Sequence, residues 1–311
     1  MNESPAAVSG SRPELPTGLA DAVERVAAGV VGLATRRRGL AAGVIWRPGL
    51  VLTTVTAIGR TDKVQVIQAD AQAVVGEVRG VDLATDLALI TVPTPELASV
   101  ERHSTPPLRV GDVVFAVGRD ASGQVHASFG HIGATGGAWR TWRGGQVDRL
   151  LRLDGGLYAG LVGAAVADAR GQLIGIASPA HSRQHGVVLP VASLERIAGQ
   201  LVDHGRVMRG YIGIAAQPVA LSPAMQSVAA NATTALLVAG IGDASPAARA
   251  GLLVGDIIVS ANERAVADVE TLRELLDAER IGTRLHLHLL RGGQPMELGI
   301  DIAEHHRAGT C

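Results

Sequence analysis

Gly43-Val44-Ile45-Trp46, Arg47-Pro48-Gly49, Leu50-Val51-Leu52-Thr53: within eleven residues the chain sets down an apolar run, a turn and a second apolar run. Short β-prone runs separated by Pro-Gly punctuation read as strands. The same rhythm returns at Lys63 to Gln68, Ala73 to Arg79, Leu87 to Val92, Val113 to Val117 and Leu173 to Ala177. Many short strands at close spacing predict an antiparallel sandwich or barrel. Upstream, residues 17–34 begin with helical spacing and pass into a Val-rich strand. Downstream, Val191 to Gly205 keeps Leu194, Ile197, Ala198 and Leu201 on one face, which predicts a closing helix.

After Gly210 the character changes. Strand-like Tyr211 to Ala215 precedes Ala235 to Ala239, a short Pro-Ala-rich helix, Asp256 to Ser260 and a helix from Val269 to Glu279. Arg284 to Leu290 and Met296 to Ile302 meet across Arg291-Gly292-Gly293-Gln294-Pro295, a hairpin signal. The expected organisation is a tail over 1–16, a β-rich domain over 17–205, an α+β module over 209–303 and a tail over 304–311.

Composition narrows the function. A length of 311 residues suits two domains, and 47% hydrophobic against 18% charged residues supplies packed cores. With 2% aromatics, those cores are built from Val, Leu, Ile and Ala. A net charge of -1 argues against a nucleic-acid backbone binder. The one cysteine, Cys311, allows neither an internal disulfide nor a cysteine-based zinc site. The first sixteen residues lack the basic start and apolar run of a signal peptide, and Ala27 to Ala34 is too short to span a bilayer. The expectation is a cytoplasmic protein with no membrane span and no cofactor.

Two motifs carry a resemblance. Arg209-Gly210-Tyr211-Ile212-Gly213-Ile214 and Ser245-Pro246-Ala247-Ala248-Arg249-Ala250-Gly251-Leu252, followed by Gly255-Asp256-Ile257-Ile258 and Asn262, resemble a PDZ domain of the HtrA/DegP type. That resemblance implies capture of a peptide C-terminus by a backbone nest and an open strand edge. It assigns Tyr211, Ile212, Gly213 and Ile214 to the carboxylate loop and strand, and Leu272 and Leu275 to the apolar pocket wall. The first half resembles the trypsin-like protease domain of the same family, through Gly43-Val44-Ile45, Val51-Leu52-Thr53, Thr85-Asp86-Leu87-Ala88-Leu89-Ile90, Arg109-Val110-Gly111-Asp112 and the segment from Asp154 to Ile176. The implied fold is mainly β: a double six-stranded β-barrel with its active site at the junction, then an α+β PDZ domain.

At the triad this sequence departs from the pattern. Thr53-Thr54-Val55-Thr56-Ala57-Ile58 puts Thr56 at the histidine position. Gly160-Leu161-Val162-Gly163-Ala164 puts Val162 at the serine position and Gly160 and Leu161 in the former oxyanion loop. Asp86 remains, with hydrogen bonding between barrels as its expected role. A serine hydrolase needs a hydroxyl, an imidazole and an orienting carboxylate, so the expectation is a non-enzyme. Such a protein would bind peptide C-termini or unfolded segments as an adaptor, chaperone or regulator, with a second copy or an active paralogue as partner. The rivals are an active ATP-independent serine endopeptidase and a structural assembly component.

Other chemistry-bearing residues have plain alternatives. Ser128, Ser178 and Ser182, with His126, His131, His181 and His185, are candidates for substitute machinery or solvated loop groups. His286 and His288 alternate with leucines and belong on the wet face of a strand. His305 and His306 lie in the tail, and Arg36-Arg37-Arg38 reads as a solvated turn. Trp139-Arg140-Thr141-Trp142-Arg143 is either a binding surface or a loop anchored by its tryptophans.

Overall fold

In the computed structural model the chain divides into two compact units between Val207 and Met208. The structure describes residues 18–34, 40–94, 98–100, 102, 108–155, 161–182 and 186–304. Arg36-Arg37-Arg38, Gly160, His185, His305, His306 and Cys311 lie outside the described residues.

The first unit holds two closed six-stranded barrels. The first runs, in hydrogen-bonded order, through Val30–Ala34, Leu40–Arg47, Leu50–Thr54, Leu87–Thr91, Ala73–Asp82 and Lys63–Ile67. The second runs through Leu150–Asp154, Gly186–Pro190, Leu173–Ser178, Ala165–Asp168, Val113–Arg119 and Val125–Gly136. Strands Leu50–Thr54 and Leu87–Thr91 are buried at nearly every position, on both faces, and threonine is the one polar residue type they carry. Val51 and Ile90, cross-strand partners, point into the first barrel's own core. The neighbouring pair, Leu52 and Leu89, joins the cluster of Phe115, Ile132, Leu151, Ile176 and Leu189 in the second barrel.

Two helices close this unit. Leu19–Ala27 buries Ala22, Val26 and Ala27. Arg119 of the second barrel, itself 6% exposed, donates to the carbonyls of Ala27, Val30 and Gly123 at 2.7, 2.9 and 2.6 Å. The bond to Ala27 satisfies a backbone oxygen that the helix end leaves open. Val191–His204 buries Leu194, Ile197, Ala198 and Leu201, and Gly205 stops it in the left-handed conformation at φ 69°.

The second unit is a sheet in the order Ile214–Ala220, Thr234–Ile241, Ile257–Ala261, Arg284–Arg291, Gln294–Asp301, with Arg264–Ala265 paired onto Ile257–Ala261. Helices Pro246–Ala250 and Val269–Glu274 belong to the same unit. The Ser-Pro-Ala-Ala-Arg-Ala-Gly stretch now has its reason. Ser245 Oγ accepts from the Ala248 amide at 3.1 Å, Pro246 opens the helix, and Gly251 ends it at φ 82°. Asp256, 1% exposed, takes two hydrogen bonds from Arg291 at 2.8 and 2.7 Å and one from the Leu253 amide at 2.8 Å. Burial raises that carboxyl, but the Arg291 hydrogen bonds and the Leu253 amide outweigh it and hold the group below the ordinary range.

Two expected elements differ. The strand drawn over Tyr211 to Ala215 is interrupted at Ile212–Gly213: Gly210–Tyr211 pairs with Ala303–Glu304, and the sheet strand begins at Ile214. The helix drawn from Val269 to Glu279 stops at Glu274, because Asp277 caps a separate 3₁₀ turn over Ala278–Arg280 through the Arg280 amide. Local capping ended a run that apolar spacing alone would have continued. His286 and His288 lie on the exposed face of their strand.

Candidate functional site

The turn that carries Asp86 is fixed from within. Asp82 Oδ1 accepts from the Ala84 amide at 3.1 Å, and its Oδ2 accepts from the Thr85 hydroxyl at 2.6 Å. Asp86 itself sits at φ 64°, a conformation that Asp tolerates better than most residues. Its own carbonyl accepts from the Val55 amide at 2.9 Å, which holds the short helix Val55–Ile58 against the turn.

Asp86 is 5% exposed, and both carboxylate oxygens are occupied. Oδ1 accepts from the Thr56 amide at 2.8 Å and the Thr56 hydroxyl at 2.9 Å. Oδ2 accepts from the Ser178 hydroxyl at 2.7 Å. Thr56 lies in the short helix that follows the first-barrel strand Leu50–Thr54, and Ser178 ends a strand of the second barrel, so the carboxylate is shared across their junction. Burial pushes the Asp86 carboxyl above the ordinary range; the bonds from Ser178 and Thr56 and the nearby His181 pull it back only partly. Ser178, named as a possible substitute hydroxyl, is fully buried and committed to Asp86.

His181 pairs through Nε2 with the Thr85 carbonyl at 3.0 Å, which makes Nε2 the protonated nitrogen. Its ring meets Trp139 edge-on, with centroids 5.8 Å apart. The tryptophan loop therefore splits into two roles. Trp139 packs against the buried cluster of the unit, and the Thr141 hydroxyl donates to the Ala84 carbonyl at 2.6 Å, tying the loop to the Asp86 turn. Trp142 is 77% exposed, and the guanidinium of Arg143 lies 4.4 Å from its ring centroid. His126 pairs with Asp120 at 2.9 Å, and Ser128 lines a small surface depression with Phe129 and Gly130.

Val162 stands apart from this carboxylate network. It forms an isolated parallel bridge with Ala41, its carbonyl accepts from the Ala42 amide at 2.9 Å, and its side chain packs on the first barrel's core. Leu161 is buried at 1% exposure. Gly163 turns at φ 77°, and a Cβ there would collide with the Ala42 carbonyl, so no other residue fits.

In the second unit the loop that precedes the open strand is held by its carbonyls. Ile212 O accepts from the Ala247 amide at 2.9 Å and Gly213 O from the Gly242 amide at 2.8 Å. The amides of Ile212 and Gly213 donate to no acceptor among the described residues. Gly213 adopts φ 82°, and a Cβ there would strike Ser245. Ile212, Leu272 and Leu275 share one buried cluster, at 1%, 3% and 5% exposure. Leu275 lies one residue beyond the helix end, not on the helix.

Residues 41–176 match the trypsin-like peptidase domain family, and residues 210–302 match the PDZ domain family. The chain is 28% identical over 272 residues to the periplasmic pH-dependent serine endoprotease DegQ of Escherichia coli K12, covering 85% of this chain and 59% of that protein. It is 27% identical over 317 residues to the serine endoprotease DegS of Salmonella typhimurium 14028s, covering 95% and 88%. Among solved structures, the serine endoprotease from Yersinia pestis superposes with a TM-score of 0.77 at 28% identity, covering 94% of this chain and 100% of that one. The HtrA-type protease AlgW with tripeptide gives a TM-score of 0.74 at 27% identity, covering 94% and 99%. The chain spans little more than half the length of several curated relatives, 53% and 59% for two of them. The names of these relatives correct the expectation, drawn from Thr56 and Val162, of a non-enzyme: they are serine endoproteases, and they favour an enzyme. Periplasmic relatives likewise give no support to a cytoplasmic location. Among the described residues no helix is long and apolar enough to cross a membrane.

Proposed function

For a chain that belongs to the HtrA-type proteases, with a trypsin-like peptidase domain followed by a PDZ domain, we propose a protein that captures the C-terminal residues of other polypeptides in its second unit. The observation that carries this reading is the pair of uncommitted amides at Ile212 and Gly213, beside the strand that begins at Ile214. A terminal carboxylate accepts from such a nest, and the chain behind it adds to the strand edge. Tyr211 and Gly213 shape the loop, and Leu272 and Leu275 back the apolar surface under the terminal side chain. Titration of the protein with a peptide of free C-terminus, beside the same peptide amidated, tests the reading. Binding that survives amidation unchanged overturns it.

The names of the relatives favour a second reading for the first unit, serine endopeptidase activity. It has to work with Thr56, Asp86 and Val162 at the three positions where the family pattern has histidine, aspartate and serine. Hydrolysis of casein by the purified protein tests it. Casein left intact after prolonged incubation at high enzyme concentration removes it.

A further inference from the structure

How much of a peptide the second unit reads depends on its open strand edge, given the peptide-binding reading above on which this rests. Strand Ile214–Ala220 is the last in its sheet, paired among the described residues with Thr234–Ile241 alone. Along a β-strand, successive residues turn their N–H and C=O groups to opposite sides. The Leu221 amide donates to the Thr233 carbonyl at 2.9 Å, and the register runs unbroken from Ala216↔Val238 to Ala220↔Thr234. Leu221, Val219 and Gln217 therefore face the neighbouring strand, and Ala220, Pro218 and Ala216 face the open edge. The one irregularity, between Ala215 and Ala216, is an extra residue, Ala239, in the partner strand. Ile214 thus faces the open edge as well.

The open edge offers an N–H donor at Ile214 and another at Ala216, and then at Pro218 only a carbonyl. A peptide whose carboxylate sits on the Ile212 and Gly213 amides runs antiparallel to this strand. Its last residue lies beside Ile214, the third from the end beside Ala216, and the fifth from the end beside Pro218. At that fifth residue the peptide carbonyl finds no donor.

We propose that Pro218 sets the length of ligand this groove reads, limiting strand addition to the last four residues of a polypeptide C-terminus. Residues further from the terminus meet at most the Pro218 carbonyl as an acceptor and add little to affinity. The natural ligands are then free C-terminal tails whose recognition is complete in a tetrapeptide, attached to any upstream sequence.

The test is calorimetric titration of the full chain with unlabelled peptides of four, six and ten residues that share the C-terminus Thr-Leu-Ala-Val. Parallel series end in Leu and in Phe. The expected dissociation constants agree within about twofold across lengths in wild type. In Pro218→Ala the six- and ten-residue peptides gain about fivefold while the tetrapeptide stays unchanged, as one added net hydrogen bond requires. A tenfold rise in affinity from four to six residues in wild type overturns the proposal and leaves the peptide-binding reading standing. So does a folded Pro218→Ala protein, checked by its unfolding temperature, in which longer peptides gain nothing. Silence in all three series takes down the peptide-binding reading, and the length limit with it. The wild-type length series decides the matter even where the variant does not fold.

Discussion

Ser178→Ala removes the one donor to Asp86 Oδ2 among the described residues and leaves a buried carboxylate oxygen open. A hydrogen bond to a charged group contributes about 1.5–3 kcal/mol, and an unsatisfied buried acceptor costs in the same range. At neutral pH the expected loss is about 2 kcal/mol. The sign with pH follows from the raised carboxyl. Folded Asp86 holds its proton more tightly than the unfolded chain does, so the stability it contributes is present below the ordinary carboxylate value. That stability is lost as pH rises through the folded value. Removing Ser178, which pulls the value down, raises it further, so the added loss falls at neutral pH and shrinks to below about 1 kcal/mol near pH 4. Thermal unfolding followed by circular dichroism reads this directly. The first unit should lose about 4–8 °C at pH 7 and clearly less at pH 4. An equal or larger loss in acid, or none at either pH, refutes the account of Asp86 as a buried carboxyl that links the barrels.

Asp86→Asn keeps a side chain suited to the left-handed backbone and removes the titration, so stability of the first unit should lose its dependence between pH 4 and 7; a retained slope assigns that dependence elsewhere. Arg291→Ala strands the buried Asp256 carboxylate, and urea unfolding of the second unit should show a loss of about 3 kcal/mol at pH 7. Because Asp256 is held below the ordinary range, the stability it lends is lost as pH falls, and the penalty of the variant should shrink in acid. Gly213→Ala demands a left-handed alanine against Ser245; about 2 kcal/mol of stability in the second unit and the capture of peptide should go together, and a well-bound peptide on this variant contradicts the loop geometry.

Much of this was legible in the chain. The six strands of the first barrel, and Val113–Arg119 and Leu173–Ser178 of the second, are legible as short β-prone runs. Val125–Gly136, Leu150–Asp154, Ala165–Asp168 and Gly186–Pro190 are not, because glycine, polar residues or short length break the apolar run. Ser245, Pro246 and Gly251 announced their helix, because caps act within a few residues. What escaped notice lies far apart in sequence. The bond from Ser178 to Asp86 spans 92 positions, and that from Arg291 to Asp256 spans 35, so no spacing rule finds either. Ser178 surfaced as one hydroxyl among several, and only the closed barrels show that it is spent on a carboxylate. The early end of helix Val269–Glu274 was missed because Leu275 and Leu276 continue the apolar period. Pro218 carries its meaning only once the register tells which way its nitrogen faces.

That proline has a second consequence, for the company the protein keeps with itself. An unpaired strand edge is a template on which another copy can add its own edge, and a long regular one invites aggregation. Pro218, placed mid-strand with its nitrogen outward, breaks the run of donors that edge-to-edge growth of one sheet onto another would need. A short tail still finds two rungs; a second sheet does not find enough.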